Sequence, residues 1–404
     1  MLTSFNFLEK HSKIALSYFL IIAFLGVLLR FFAVFDLPIN YRFIVHTHSH
    51  IALLGWIYIA ITTLIFKMYL CEINIRNKYK KVFWATQLTI IGMLITFPFT
   101  GYALFSIIFS SLFLIISYVF AYLIFKHTPK KYKERNSYKC IRISLWYMII
   151  SSIGPWALGI IMKTTGNGSD LYKNAIYFYL HFQYNGWFIL ALLGILLYIF
   201  EQQNINITKR IFNLFFGLIN IGVVLTFGIS LLWMKPTILI YIVSGLGAFF
   251  QIISFFFLFK SFVVFKAQLE NSFSKKFIQS LKLVAILFLL KLIFQLLGAI
   301  PYVANAIASN INLVIGYLHW TFLGVVSISL LLFLNKFKLI VLSKKAIIFY
   351  LAGFLLTEIL IFYKAISAWF NISLIDKYFE FLIIVSCIFF LAIAYIFINQ
   401  FKRK

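Results

Sequence analysis

The chain has 404 residues, 63% of them hydrophobic and only 11% charged. That leaves too little polar surface to clothe a water-soluble core, so lipid is the expected solvent and a soluble globular protein is excluded. The formal charge of +26 would suit nucleic acid only if it were gathered on one face, and its distribution along the chain excludes that partner.

In chain order, apolar stretches predict helices at roughly 13–35, 46–70, 82–99, 102–125, 141–163, 175–200, 209–233, 237–260, 277–300, 311–336, 344–366 and 377–400. Each approaches the ~20 residues that cross a hydrocarbon core about 30 Å thick at ~1.5 Å per residue. Their length and their lack of two-residue alternation argue for helix over membrane strand. The expected fold is all-α, a polytopic membrane protein with a single transmembrane domain over residues 1–404.

Charge placement orients the chain. Of the 36 Lys and Arg, 27 fall in the two tails and in alternate loops, while the opposite loops hold Arg42, Lys163, Lys173, Lys235, Lys364 and Lys377. Arg30, Lys282 and Lys291 lie within predicted helices. The positive-inside rule then puts both termini in the cytoplasm, with the basic loops facing an anionic lipid surface. Heavy use of Lys, Asn, Ile and Phe suggests an AT-rich bacterial genome, so the expected location is a bacterial inner membrane. No cleavable signal peptide is expected, because the first apolar segment is too long and no small-residue cleavage site follows it. The cysteines, Cys71, Cys140 and Cys387, give no disulfide framework. There is no Cys-x-x-Cys-His run for covalent haem attachment.

The histidines show an internal order. Of seven, His11 and His127 sit at predicted cytoplasmic helix ends, and the other five open even-numbered helices at the opposite side. The second helix begins HTHSHIALLGW, with His46, His48 and His50; the sixth carries His181 in YLHFQYNGW and the tenth His319 in YLHWTFLGV. Aligning His50, His181 and His319 brings Gly55, Gly186 and Gly324 into register, each five residues on, and Gly26, Gly159 and Gly298 precede them at similar distances. Three such matches predict internal repeats over about 1–127, 138–260 and 275–404, arranged about an axis normal to the membrane. The repeat glycines would permit close helix or ligand approach.

A neutral imidazole inside a membrane is a functional candidate, and imidazole is also the commonest axial ligand of haem iron. The competing reading is a histidine that hydrogen-bonds across the bundle as packing glue. On a helix, His46 and His50 share one face while His48 points ~160° away. Together with a third group, the facing pair would suit copper or zinc.

Twelve helices in three groups of four, with histidines opening the second, sixth and tenth, resemble the haem-copper oxidase subunit I superfamily, including cytochrome c oxidase subunit I. The stretches HSHIALLGW and HFQYNGWF are similar to its histidine-bearing helices. That resemblance implies a b-type haem held between His50 and His319, with His181 at the position of a copper ligand. It also implies a redox partner subunit. The family's helix-seven His-His pair is missing, because the stretch IFNLFFGLINIGVVLTFGISLLWM contains no histidine. Its tenth helix normally carries two histidines, and this one has only His319. Copper held by His181 alone would be under-coordinated, so terminal oxidation is not expected. The chain is also similar to the NnrS family, membrane haem-copper proteins linked to nitric oxide stress, in length and in its His-x-His. It lacks that family's acidic residue, since Ile51 follows His50.

Three functions follow. The first is a haem-binding membrane protein serving electron transfer, NO or O2 response, or haem and copper handling, with His50, His319 and His181 toward the cofactors and His46, His48 and His181 toward metal. The second is a transporter or channel for metal ions or protons that uses the same histidines. The third is a non-catalytic scaffold subunit. Lys291 and Glu358 are costly inside apolar spans and point to an ion pair or a proton path, which Gln87, Gln251 and Gln295 would extend unless they are interhelical glue. Arg30, Arg42, Lys163 and Lys173 would neutralise haem propionates or simply anchor the interface. Trp56 and Trp187, each next to a repeat glycine, are candidates to line a haem pocket.

Overall fold

A computed structural model describes residues 2–402, with side chains from residue 7 onward. Among the described residues, twelve helices are long and apolar enough to cross a membrane. They are α1 (Phe7–Phe31), α2 (Tyr41–Tyr69), α3 (Arg76–Thr100), α4 (Leu104–His127), α5 (Asn136–Thr164), α6 (Asp170–Glu201), α7 (Lys209–Met234), α8 (Ile238–Val264), α9 (Lys275–Leu297), α10 (Ile311–Lys336), α11 (Lys344–Phe370) and α12 (Tyr378–Ile398). No strand occurs among the described residues. The chain is an all-α polytopic membrane protein.

Two boundaries differ from the sequence reading for physical reasons. Helix α1 begins before residue 13, because Lys10 and Lys13 continue the helix rather than end it. Between α9 and α10 lies a short helix, Pro301–Ser309, with Pro301 in its first turn, where a missing N–H costs nothing.

Burial separates the helices into two kinds. In α2, α6 and α10, 89%, 83% and 67% of the most apolar stretch is buried, against 28–44% in the other nine. The three histidine-opened helices are therefore the most enclosed, and the other nine leave more than half of that stretch unburied. They share a further irregularity. Each is α-helical up to its repeat histidine and then continues as a π-helix, over Ile51–Ile57, Phe182–Phe188 and Trp320–Ser327, before resuming the α form. A π-helix widens the turn and is rare beyond a single turn. Helix α7 departs the other way, tightening to a 3-10 helix over Thr226–Met234.

The chain divides into two compact units, residues 1–130 with 330–404, and residues 131–329. In the first, α1 packs along α12 and against α2, α11 along α12, and α3 along α4. In the second, α5 packs along α6, α7 along α8, α8 against α9, and α9 against α10.

Candidate functional site

The local build around His50 starts at Asn40, which caps α2 by accepting the Phe43 N–H on its side chain at 3.3 Å. His46 and His50 then lie on one face, both against Tyr102. The Tyr102 ring is 4.6 Å from that of His46 and 5.7 Å from that of His50. Tyr102 is presented by Gly101, whose φ of +57° favours glycine. His48 faces the other way, with its ring edge toward Gly26 of α1. His46 and His48 therefore do not face a common point. Among the described residues, no three His, Cys, Asp or Glu side chains gather in a group able to hold a metal ion.

The nitrogens of His50 are distinguished by their neighbours. Nδ1 lies 2.9 Å from the His46 carbonyl oxygen, which can only accept, so Nδ1 carries the proton. Nε2 is the acceptor, 3.4 Å from the Tyr102 hydroxyl, and the imidazole ring lies 4.4 Å from that of Phe97. An imidazole fixed through Nδ1–H to a carbonyl keeps Nε2 as an acceptor, here of the Tyr102 hydroxyl, and this tautomer is also the one that ligates a metal through Nε2. The His50 tautomer is thus one that fits an axial ligand of haem iron, provided that the Tyr102 hydroxyl gives way.

His181 has the same place in its helix but a different environment. Its side chain is buried, and both nitrogens are engaged. Nε2 lies 2.8 Å from the Val223 carbonyl of α7, and Nδ1 lies 3.2 Å from Asn185 Nδ2. The roles follow in sequence. The Val223 carbonyl accepts from Nε2–H, so Nδ1 is the acceptor and Asn185 turns its amino group toward it. That leaves Asn185 Oδ1 facing Lys291 of α9, whose Nζ donates at 2.5 Å and donates again to Gln295 Oε1 at 2.7 Å. With both nitrogens held and an ammonium within electrostatic reach, His181 does not fit a copper ion.

His319 ends the α-helical stretch Ile311–His319 and is half-buried. The next residue, Trp320, donates from its indole N–H to the Leu287 carbonyl of α9 at 2.9 Å. His11 is buried in α1, stacked on Phe83 at 3.4 Å and 3.4 Å from the Tyr79 hydroxyl.

Below the histidines, the first and second units share one more arrangement. A Cβ on Gly55 would lie 2.9 Å from the Tyr18 ring of α1, and one on Gly186 would lie 2.5 Å from the Tyr147 ring of α5. The Tyr18 hydroxyl donates to Gln87 of α3 at 2.8 Å, and that of Tyr147 to the Asn220 carbonyl of α7 at 3.4 Å. The glycines therefore let α2 and α6 press onto a tyrosine of the preceding helix. Helix α9 has no tyrosine. Trp56 stacks on Phe19 at 4.5 Å, and Trp187 is wholly buried.

The remaining polar candidates divide. Gln251 donates to the Thr226 hydroxyl at 2.8 Å, where α7 changes form, so Gln87 and Gln251 both tie helices together. Glu358 of α11 is buried within the field of Arg30 of α1. Lys173 lies 3.7 Å above the Trp233 ring, while Arg42 and Lys163 are exposed. Asn185 escaped the sequence reading. Its one signal was its register position, four residues after His181, where the other two repeats have Leu54 and Leu323. No family model matches the chain, and no curated protein matches it.

Proposed function

We propose that this chain is a haem-binding integral membrane protein with His50 and His319 as axial ligands, serving electron transfer or NO and O2 response rather than terminal oxidation. The observation that supports this reading is the state of His50. Its Nδ1 proton is held by the His46 carbonyl at 2.9 Å, and its Nε2 lone pair meets only the long 3.4 Å contact with the Tyr102 hydroxyl, which a stronger Nε2 partner would displace. His319 supports it by position, since it too closes an α segment directly before a π-helical one. Haem would supply reversible one-electron chemistry at iron. The chain's own groups would do the rest. The His46 carbonyl fixes the imidazole tautomer, Phe97 walls its side, and the Gly55–Tyr18 contact sets how closely α2 approaches α1. The fit favours haem alone, because the copper expected from the resemblance finds His181 already bonded through both nitrogens. Three repeated four-helix units, a bacterial inner membrane, cytoplasmic termini and a redox partner subunit belong to the same proposal.

The test is a reduced-minus-oxidised visible spectrum of the detergent-purified protein beside its His50→Ala and His319→Ala variants. Low-spin b-type bands in the parent, lost from both variants, are expected. A folded parent that carries no haem when made in a haem-replete host would overturn the reading.

A further inference from the structure

The second unit buries a lysine without burying an acid beside it. Lys291 is 1% exposed, and its ammonium ends on two amide oxygens, Asn185 Oδ1 and Gln295 Oε1. No carboxylate is hydrogen-bonded to it among the described residues. The acids of this unit, Glu134, Asp170, Glu201 and Glu270, all lie in loops or at helix ends, and Glu201 is taken up by the N–H and hydroxyl of Ser137. Removing an ammonium from water without a counter-charge is strongly unfavourable unless something else supplies the negative charge.

A second observation points the same way. Gln295 is 4% exposed, and with its oxygen turned to Lys291 its Nε2 amino group has no hydrogen-bond partner among the described residues. An ammonium has three N–H donors and a carboxamide two. Two Lys291 N–H groups are used, the two on Gln295 Nε2 are left with no acceptor among the described residues, and protonation of Lys291 adds a third one helical turn away on α9. The polarity of this corner is not accidental to the local conformation. The Val223 carbonyl fixes His181, His181 fixes Asn185, and Asn185 in turn fixes the ammonium. A preset cluster of N–H donors around a lysine that an anion would hold in its charged form is the complement of an oxyanion or halide.

We propose that Lys291 and Gln295 form an intramembrane binding site for a small monovalent anion of the chloride, nitrate or acetate class. Asn185 and His181 are its positioning residues. The site is independent of the haem reading, since none of its members is a proposed haem ligand.

The experiment uses the full chain in detergent, with thermal unfolding followed by tryptophan fluorescence. Nitrate, chloride or acetate replaces bulky gluconate at constant ionic strength. A ligand bound only by the folded state raises Tm in a saturable way, so a rise of several degrees is expected with at least one of the three. The Gln295→Glu variant places a carboxylate one turn from Lys291. Its Tm in gluconate should start higher, and its response to nitrate should be lost. Lys291→Met should also lose the response, and if that variant does not fold, Gln295→Glu carries the decision. A parent that responds to the small anions no more than to gluconate, or a Gln295→Glu protein that keeps the full response, would overturn the proposal. Running the same titration on His50→Ala separates this result from the fate of the haem reading.

Discussion

His50 and His181 occupy the same local frame and finish in opposite chemical states. Each is the last α-helical residue before a π-helical segment, and each has a glycine five residues on that admits a tyrosine from the preceding helix. In the first unit the imidazole turns back onto its own helix, donating to the carbonyl four residues earlier and leaving Nε2 only the long Tyr102 contact. In the second it is bound from both sides, by α7 through the Val223 carbonyl and by Asn185 four residues later. The residue four positions after the histidine separates them, since Leu54 has nothing to offer an imidazole nitrogen and Asn185 does. The frame places a histidine at an interior helix, and one neighbouring side chain decides whether it can act as a ligand or serves as an organiser of a polar cluster. His319 has Leu323 at that position, so Asn185 is peculiar to the helix of His181.

The largest effect that would break this comparison is spectroscopic. His181→Ala should retain the full haem spectrum, whereas His50→Ala should lose it. Equal loss in both would mean that the hydrogen bonds on His181 do not set it apart, and the division into ligand and organiser would fall.

Next in size is Asn185→Leu, which gives the second unit the side chain of the first. It removes one of the two acceptors of the buried Lys291 and the donor to His181 Nδ1 together. Leaving a buried charge short of a partner is expected to cost about 3 kcal/mol, read as earlier unfolding of the detergent-solubilised protein in denaturant. The reverse change, Leu54→Asn, should cost far less, because no lysine stands beside it to be stranded. Similar losses from the two substitutions would show that the cluster is ordinary packing.

Smaller again are the shared glycines. Gly55→Ala and Gly186→Ala each push a methyl into a tyrosine ring, and overpacking of this kind costs roughly 1–3 kcal/mol. The Gly186 contact is the closer of the two, so its variant should unfold first. The haem spectrum should survive Gly186→Ala and broaden in Gly55→Ala, because only the latter moves the helix that carries His50.

How much of this was legible in the sequence depends on the range of the interaction concerned. The twelve spans follow from run length and hydropathy, which lipid enforces locally. The histidine and glycine register was visible because it recurs. The π-helical segments were not, since i→i+5 pairing leaves no compositional mark and depends on what the widened turn packs against. Gln87 and Gln251 were readable as interhelical glue but not their partners, Tyr18 and Thr226. Lys291 stood out as costly, and an acid was the natural partner to expect. Its actual partners, Asn185 and Gln295, include a side chain from 106 residues earlier in the chain, a pairing that only the fold creates. His181 shows the limit most clearly, because a motif that places an imidazole says nothing about whether its nitrogens are already spoken for.

The smallest effect sharpens the first half of the comparison. Among the described residues, the Tyr102 hydroxyl is the group hydrogen-bonded to His50 Nε2, at 3.4 Å, a long and weak contact at the edge of hydrogen bonding. If Nε2 belongs to a ligand, Tyr102→Phe removes nothing the holoprotein uses, and haem content should stay at the parent level with stability changed by less than about 0.5 kcal/mol. If instead the tyrosine is the true partner of His50 and the imidazole is structural, the substitution leaves Nε2 unsatisfied in a half-buried place and should cost about 1 kcal/mol or more. His46→Ala is the companion measurement, because it keeps the backbone carbonyl that holds Nδ1 and deletes only the second ring against Tyr102. A parent-like spectrum in both variants would confine the ligand chemistry of this face to His50 itself, and loss of haem in His46→Ala alone would instead make the pair of facing imidazoles the working unit.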